Sequence, residues 1–283
     1  MWILLTVLAT TAHQPEQAAA KDRVEDRRDG GPGLVAVTPS FAIRSYHGGP
    51  EAREIARQCH ALREQLQIKW FGGVSQEAWS PRCHVILHHA RASYVQAVGR
   101  GAGQTSGSSL IRFDKGRVAA RRIDLLVGRR GGIPALPHEL THIVLAERLG
   151  GRLPPLWIDE GIAVLADSEE KQARHLRDCM DAIHRGEALP LAELMTRESF
   201  SSPDQMATFY GQSYSLVRFL ACRDKPRHLL EFVALAATDG YDQALREIYA
   251  IDGVAQLRQL WLRDAQSLPK KTNVPAASVG WER

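Results

Sequence analysis

The chain has 283 residues, of which 44% are hydrophobic and 24% charged, with 36 Lys and Arg set against 32 Asp and Glu. These proportions describe a folded globular chain and exclude a disordered protein, a coiled coil and a polytopic membrane protein. The small positive excess is no nucleic-acid footprint, and four cysteines are too few for a disulfide scaffold, so function has to be read from a site.

In chain order, the first feature is the apolar run Trp2–Ala12, WILLTVLATTA. It is too short to span a bilayer, which takes about 20 residues. With the small residues Thr10 and Ala12 ahead of a cleavage point it reads as the core of a signal peptide, although no Lys or Arg precedes it. An exported protein is therefore expected, periplasmic, extracellular or held in the cell envelope, with no integral membrane segment. The expected divisions are a signal peptide over 1–19, a flexible linker over 20–33, a folded domain over 34–266 and a loose tail over 267–283. No internal repeat is visible.

Within the domain, Leu34–Tyr46 alternates apolar residues and predicts a strand. Pro50 opens a helix to about Trp70, with Ile55, Cys59, Leu62 and Leu66 at helical spacing. Cys83–His89 predicts a strand and Tyr94–Val98 a short helix. Leu110–Phe113 and Val118–Val127 predict two strands joined at Asp114-Lys115-Gly116. From Pro134 to about Trp261 the pattern is helical. Strands first and helices later is the α+β order: a small N-terminal mixed sheet with a helix, then a C-terminal helical lobe. Arg112, Lys115, Arg117, Arg121, Arg122, Arg129 and Arg130 read as a solvated hairpin face. His84 and His88 share one strand face and His89 the other, which suits ordinary polar positions better than a second metal site. In an exported chain Cys59 and Cys83, on adjacent elements, are the favoured disulfide pair, with small buried thiols as the alternative.

The chemistry sits in His138-Glu139-Leu140-Thr141-His142, an HExxH motif. Positions i and i+4 of a helix project to one side, so both imidazoles reach one ion, and Glu139 lies beside them as a base for a water at that ion. Leu136, Leu140, Ile143, Val144 and Leu149 give this helix an apolar side. Pro134 and Pro137 tolerate only its first turn, and Gly150-Gly151 suit its end. Eighteen residues after His142, past Pro154-Pro155, comes Leu156-Trp157-Ile158-Asp159-Glu160-Gly161, where Glu160 is a carboxylate able to return to the ion. Two imidazoles, one carboxylate and an open fourth position suit Zn2+.

HELTH followed by WIDEGIAVLAD resembles the gluzincin zinc metallopeptidases, the peptidase MA-like group, and is similar to the M1 aminopeptidase pattern. The resemblance implies a zincin-like α+β fold and Zn2+ held by His138, His142 and Glu160. It also implies Glu139 as general base, Asp167 as a partner of a ligand imidazole two helical turns beyond Glu160, and a peptide or protein substrate. Phe209–Leu220 resembles the superfamily helix whose Tyr donates to the oxyanion, which points to Tyr210 with Tyr214 as runner-up. The Gly-x-Met-Glu-Asn segment with which M1 enzymes hold a free amino terminus has no counterpart, nor has the thermolysin-like Glu-x-x-x-Asp, since Val164 stands in that place. The resemblance also implies an edge strand that pairs with an extended peptide, for which 110–127 is the candidate. Two other readings stay open: a catalytically silent zincin-like scaffold, and a zinc amidase acting on a non-peptide cell-wall substrate. Substrate preference, endo- or exo-cleavage and oligomeric state are not legible.

Overall fold

The computed structural model describes residues 25–27, 34–45, 49–149, 154–200 and 203–267. The expected signal peptide, the Gly150-Gly151 helix end and all of the tail but Ser267 lie outside them. Six strands and ten α-helices are present among the described residues. In chain order the strands are β1 (Glu25–Arg27), β2 (Leu34–Val37), β3 (Phe41–Ser45), β4 (Cys83–His88), β5 (Gly107–Asp114) and β6 (Arg117–Leu126). The helices α1 (Gly49–Phe71) and α2 (Arg91–Val98) interleave with them.

All six strands form one sheet in the order β1-β2-β3-β4-β6-β5, with β3, β4 and β6 parallel and the other pairs antiparallel. Parallel neighbours need a crossover, and α1 supplies it between β3 and β4. The register aligns Ile43, Val85 and Ile123 across three strands. With Phe41, Cys83, Leu87 and Leu125 they make a fully buried face against which α1 sets Ile55, Cys59, Leu66 and Trp70. On the other face Ala42, Arg44 and Ile86 are half-buried and His84 is exposed.

Two expectations about the N-terminal chain need correction. Leu34–Tyr46 is not one strand: Thr38-Pro39-Ser40 turns the chain, and the Phe41 amide donates to Thr38 Oγ1 at 3.0 Å, so β2 and β3 form a hairpin. The expected linker over 20–33 contains β1, which pairs with β2. At the β5–β6 turn Lys115 and Gly116 both take positive φ, 48° and 75°, the geometry of a two-residue hairpin turn.

The remaining helices are α3 (Leu136–Arg148), α4 (Leu156–Val164), α5 (Glu169–Arg185), α6 (Leu191–Thr196), α7 (Pro203–Arg223), α8 (Arg227–Asp239), α9 (Tyr241–Tyr249) and α10 (Gly253–Ser267). The α+β arrangement expected from the sequence is present. α3 joins the two halves, packing on α1, β5 and β6 on one side and α4 on the other. α7 is the axis of the helical lobe and touches α4, α5, α8 and α10. Two glycines let it do so. At Gly161 a Cβ would lie 2.5 Å from Val217 Cγ2 and 2.7 Å from the Ser213 carbonyl oxygen. At Gly211 it would lie 2.7 Å from both the His175 carbonyl oxygen and the Cys179 amide nitrogen. Among the described residues no helix is long and apolar enough to cross a membrane.

The expected Cys59–Cys83 disulfide is absent. Both are fully buried free thiols packed in the α1–sheet core, where they serve as small apolar side chains. Burial pushes the Cys83 thiol up to about 12 and Cys59 well above its ordinary value.

The α4–α7 contact predicts the cost of filling it. Gly161→Ala forces the Ser213 backbone and Val217 apart and is expected to lower unfolding free energy by about 1–3 kcal/mol, read as a shift in the urea midpoint. A midpoint equal to that of the native chain contradicts the contact.

Candidate metal centre

Pro137 in the first turn of α3 fixes where the helix begins, so His138 and His142 leave one side of it toward α4. Pro155 precedes α4 and brings Glu160 to face them. Ligand-type atoms of His138, His142 and Glu160 all lie within 4.8 Å of one another. Glu160 Oε2 is 3.3 Å from His138 Nε2 and 3.9 Å from His142 Nε2. It is buried without a well-formed hydrogen bond.

The other imidazole nitrogens face carboxylates. His138 Nδ1 is 2.9 Å from Asp167 Oδ2, and His142 Nδ1 is 2.9 Å from Asp159 Oδ2. At His138 the hydrogen bond between Nδ1 and Asp167 leaves Nε2 unprotonated and directed inward when the imidazole is neutral, whereas the His142–Asp159 contact is a close ion pair without hydrogen-bond geometry. Asp167 reaches His138 by a route other than the expected continuous helix. α4 ends at Val164, and Asp167 lies in the turn that follows, its amide bonded to the Val164 carbonyl. Lys171, 2.8 Å from Asp167 Oδ1, braces it from α5. Glu139, Asp159, Glu160 and Asp167 are all buried. Even with both imidazoles protonated, four carboxylates face three cations, and that balance fits a bound divalent cation.

Burial works to lower the pKa of both imidazoles and is the largest single influence on each, yet it is outweighed. The Asp167 and Glu160 contacts push His138 up to about 9, and Asp159 with Glu160 and Glu139 push His142 up to about 10. Glu160 and Asp167 are held below the usual carboxylate range: burial opposes this, and the His138 contact leads the effects that prevail.

Glu139 belongs to the junction between the halves. Burial raises its pKa against the pull of His142, His138 and the Ser109 side chain on β5. The approach is close: a Cβ on Gly107 would sit 2.7 Å from both Cγ and Oε1 of Glu139 and 2.6 Å from Ala135 Cβ. The Tyr94 hydroxyl donates to the Gly107 carbonyl at 2.6 Å and lies 2.7 Å from Thr105 Oγ1, fixing the start of β5.

The two tyrosines of α7 separate. Tyr210 lies beside Glu160, and burial, then the Glu160 charge, drive its pKa far up. Tyr214, one turn on, donates to Gln172 Oε1 at 3.1 Å and packs with Val164 and Leu176.

Three residues near the site escaped the sequence reading. Asp159 sits one residue before Glu160, and that adjacency was its only signal. Ser109 and His175 reach the site through tertiary packing. The His175 ring stacks on Tyr210, and burial leads the lowering of its pKa. The basic hairpin is not uniformly solvated: Arg121 is buried, donates to the Pro81 carbonyl at 2.6 Å and lies over Trp79, because its side chain points to the core face. His84, His88 and His89 do not gather into a metal-ligating group among the described residues. His88 is buried 2.8 Å from Asp124 instead.

A family model described as the peptidase MA superfamily matches residues 123–265, from β6 into α10. No curated protein matches the chain.

The imidazole pKa values set a pH dependence for the metal-free chain. A histidine whose folded pKa is raised adds stability fully below its unfolded value of about 6.5 and loses it as pH rises through the folded value. Those folded values are about 9 and about 10. With chelator present, the urea midpoint is expected to fall as pH rises from about 7 to about 10; a midpoint that rises over that range contradicts the pairing.

Proposed function

The chain belongs to the peptidase MA superfamily, and from that premise we propose that it is a zinc-dependent peptidase. The carrying observation is the convergence of His138 Nε2, His142 Nε2 and Glu160 Oε2, with Glu139 held beside them by Gly107 and Ser109. In this reading His138, His142 and Glu160 hold Zn2+, and Asp159 and Asp167 orient the two imidazoles. Zinc, when bound, supplies the Lewis acidity that polarises a carbonyl and makes water acidic near neutral pH.

The rest falls to the chain's own groups. Glu139 takes the proton of the attacking water and hands it to the departing amine. A carboxyl whose pKa is raised toward the working pH accepts the proton more readily than an exposed carboxylate and can still pass it on. Tyr210, with its pKa driven up, stays protonated and offers the oxyanion an uncharged O–H donor. β5 is the outer strand of the sheet on this side, and its outer edge suits an extended peptide added as a further strand. The buried, oriented Glu139 favours catalysis over a silent zinc scaffold, which has no use for a base. A zinc amidase on a cell-wall substrate would use the same residues and is separated by the substrate it turns over.

The test is metal analysis and turnover of a mixed peptide library, with bacterial cell-wall fragments in parallel. Glu139→Gln is expected to keep its zinc and lose about 10²–10⁴-fold in kcat; undiminished turnover would sink the mechanism. Tyr210→Phe is expected to lose about 10²–10³-fold, while Tyr214→Phe stays close to native. The reverse ranking would assign the donor to Tyr214.

A further inference from the structure

We propose that His175 is the positioning residue for Tyr210, its imidazole forming a flat wall that holds the phenol against Glu160. The catalytic consequence rests on Tyr210 being the oxyanion donor; the positioning itself does not.

The contact is built from the backbone outward. α5 and α7 approach at Gly211, where a Cβ would collide with the His175 carbonyl oxygen and the Cys179 amide nitrogen, each 2.7 Å away. Backbone contact at that point brings the side chain of His175 level with the residue before Gly211, which is Tyr210. The two rings lie nearly parallel, with centroids 6.0 Å apart and an interplanar angle of 25°, inside the range of offset stacking. Phe200 flanks the phenol at 6.3 Å and 41°, and Phe209 at 6.1 Å and 79°. Tyr210 is thus flanked by three rings, with Glu160 beside its hydroxyl.

Hydrogen bonding does not explain the imidazole. His175 Nδ1 is buried with no hydrogen-bond partner, and the nearest carboxylate, Asp178 Oδ2, is 3.9 Å away. A buried polar atom left unsatisfied calls for a reason, and ring packing on Tyr210 is the contact that supplies one. Removing the wall leaves the phenol other rotamers, and a donor that leaves its aim costs rate while leaving substrate binding in place.

The experiment uses the full chain with 13C-labelled tyrosine, the Tyr210 signal being assigned by its loss in Tyr210→Phe. In zinc-free protein, His175→Ala is expected to shift and broaden that signal, and His175→Phe, which keeps a flat ring, to restore it. In zinc-loaded protein, His175→Ala is expected to lower kcat about tenfold with KM within about twofold, and to cost nothing further in a Tyr210→Phe background. A Tyr210 signal unmoved by His175→Ala overturns the proposal, as does a kcat loss that persists in the Tyr210→Phe background. If the signal responds but the native chain turns over no peptide, positioning stands and the peptidase reading fails.

Discussion

Two imidazoles and four carboxylates share one buried junction, and the rest of the molecule is arranged around the need to keep them there. Charged groups removed from water are costly unless each is paired. The pairing here crosses elements: α3 supplies His138, Glu139 and His142, α4 supplies Asp159 and Glu160, the following turn supplies Asp167, and α5 adds Lys171. No one element carries a neutral set. The cluster holds together only when α3, α4 and α5 are docked, and α7 docks two of them through Gly161 and Gly211.

The sheet contributes through a single close approach. Gly107 lets the carboxyl of Glu139 lie against β5, and Tyr94 pins that strand from the other side by its bond to the Gly107 carbonyl. The N-terminal half therefore contributes the partner of the base and the outer strand beside it, and the C-terminal half contributes the ligand-type residues and Tyr210. The family match starts within β6, so β5 lies outside the stretch that the match covers and the Gly107–Glu139 contact has one partner beyond it.

What was legible in the sequence was whatever depends on short-range periodicity. HELTH and WIDEG place residues on helix faces, and helix faces follow from spacing alone. Asp167 was expected two turns along the helix of Glu160, because the local sequence does not reveal that α4 stops at Val164. Tyr210 and Tyr214 share a helix side, so phase could not separate them; the bond from Tyr214 to Gln172 depends on how α5 packs on α7. The β2–β3 hairpin was missed because alternation continues through Thr38-Pro39-Ser40. Proximity of Cys59 and Cys83 was legible, but a covalent bond between them was not. Ser109 and His175 became visible only once β5 met α3 and α5 met α7.

His138, His142 and Glu160 form a group that could hold one metal ion. Zinc X-ray absorption of the full chain loaded with one equivalent of Zn2+ tests whether that ion is zinc held by these three residues. The expected spectrum is that of a four- or five-coordinate ion with two imidazole nitrogens at about 2.0–2.1 Å, oxygen completing the shell and no sulfur. A shell containing sulfur, or one without imidazole scattering, would contradict it.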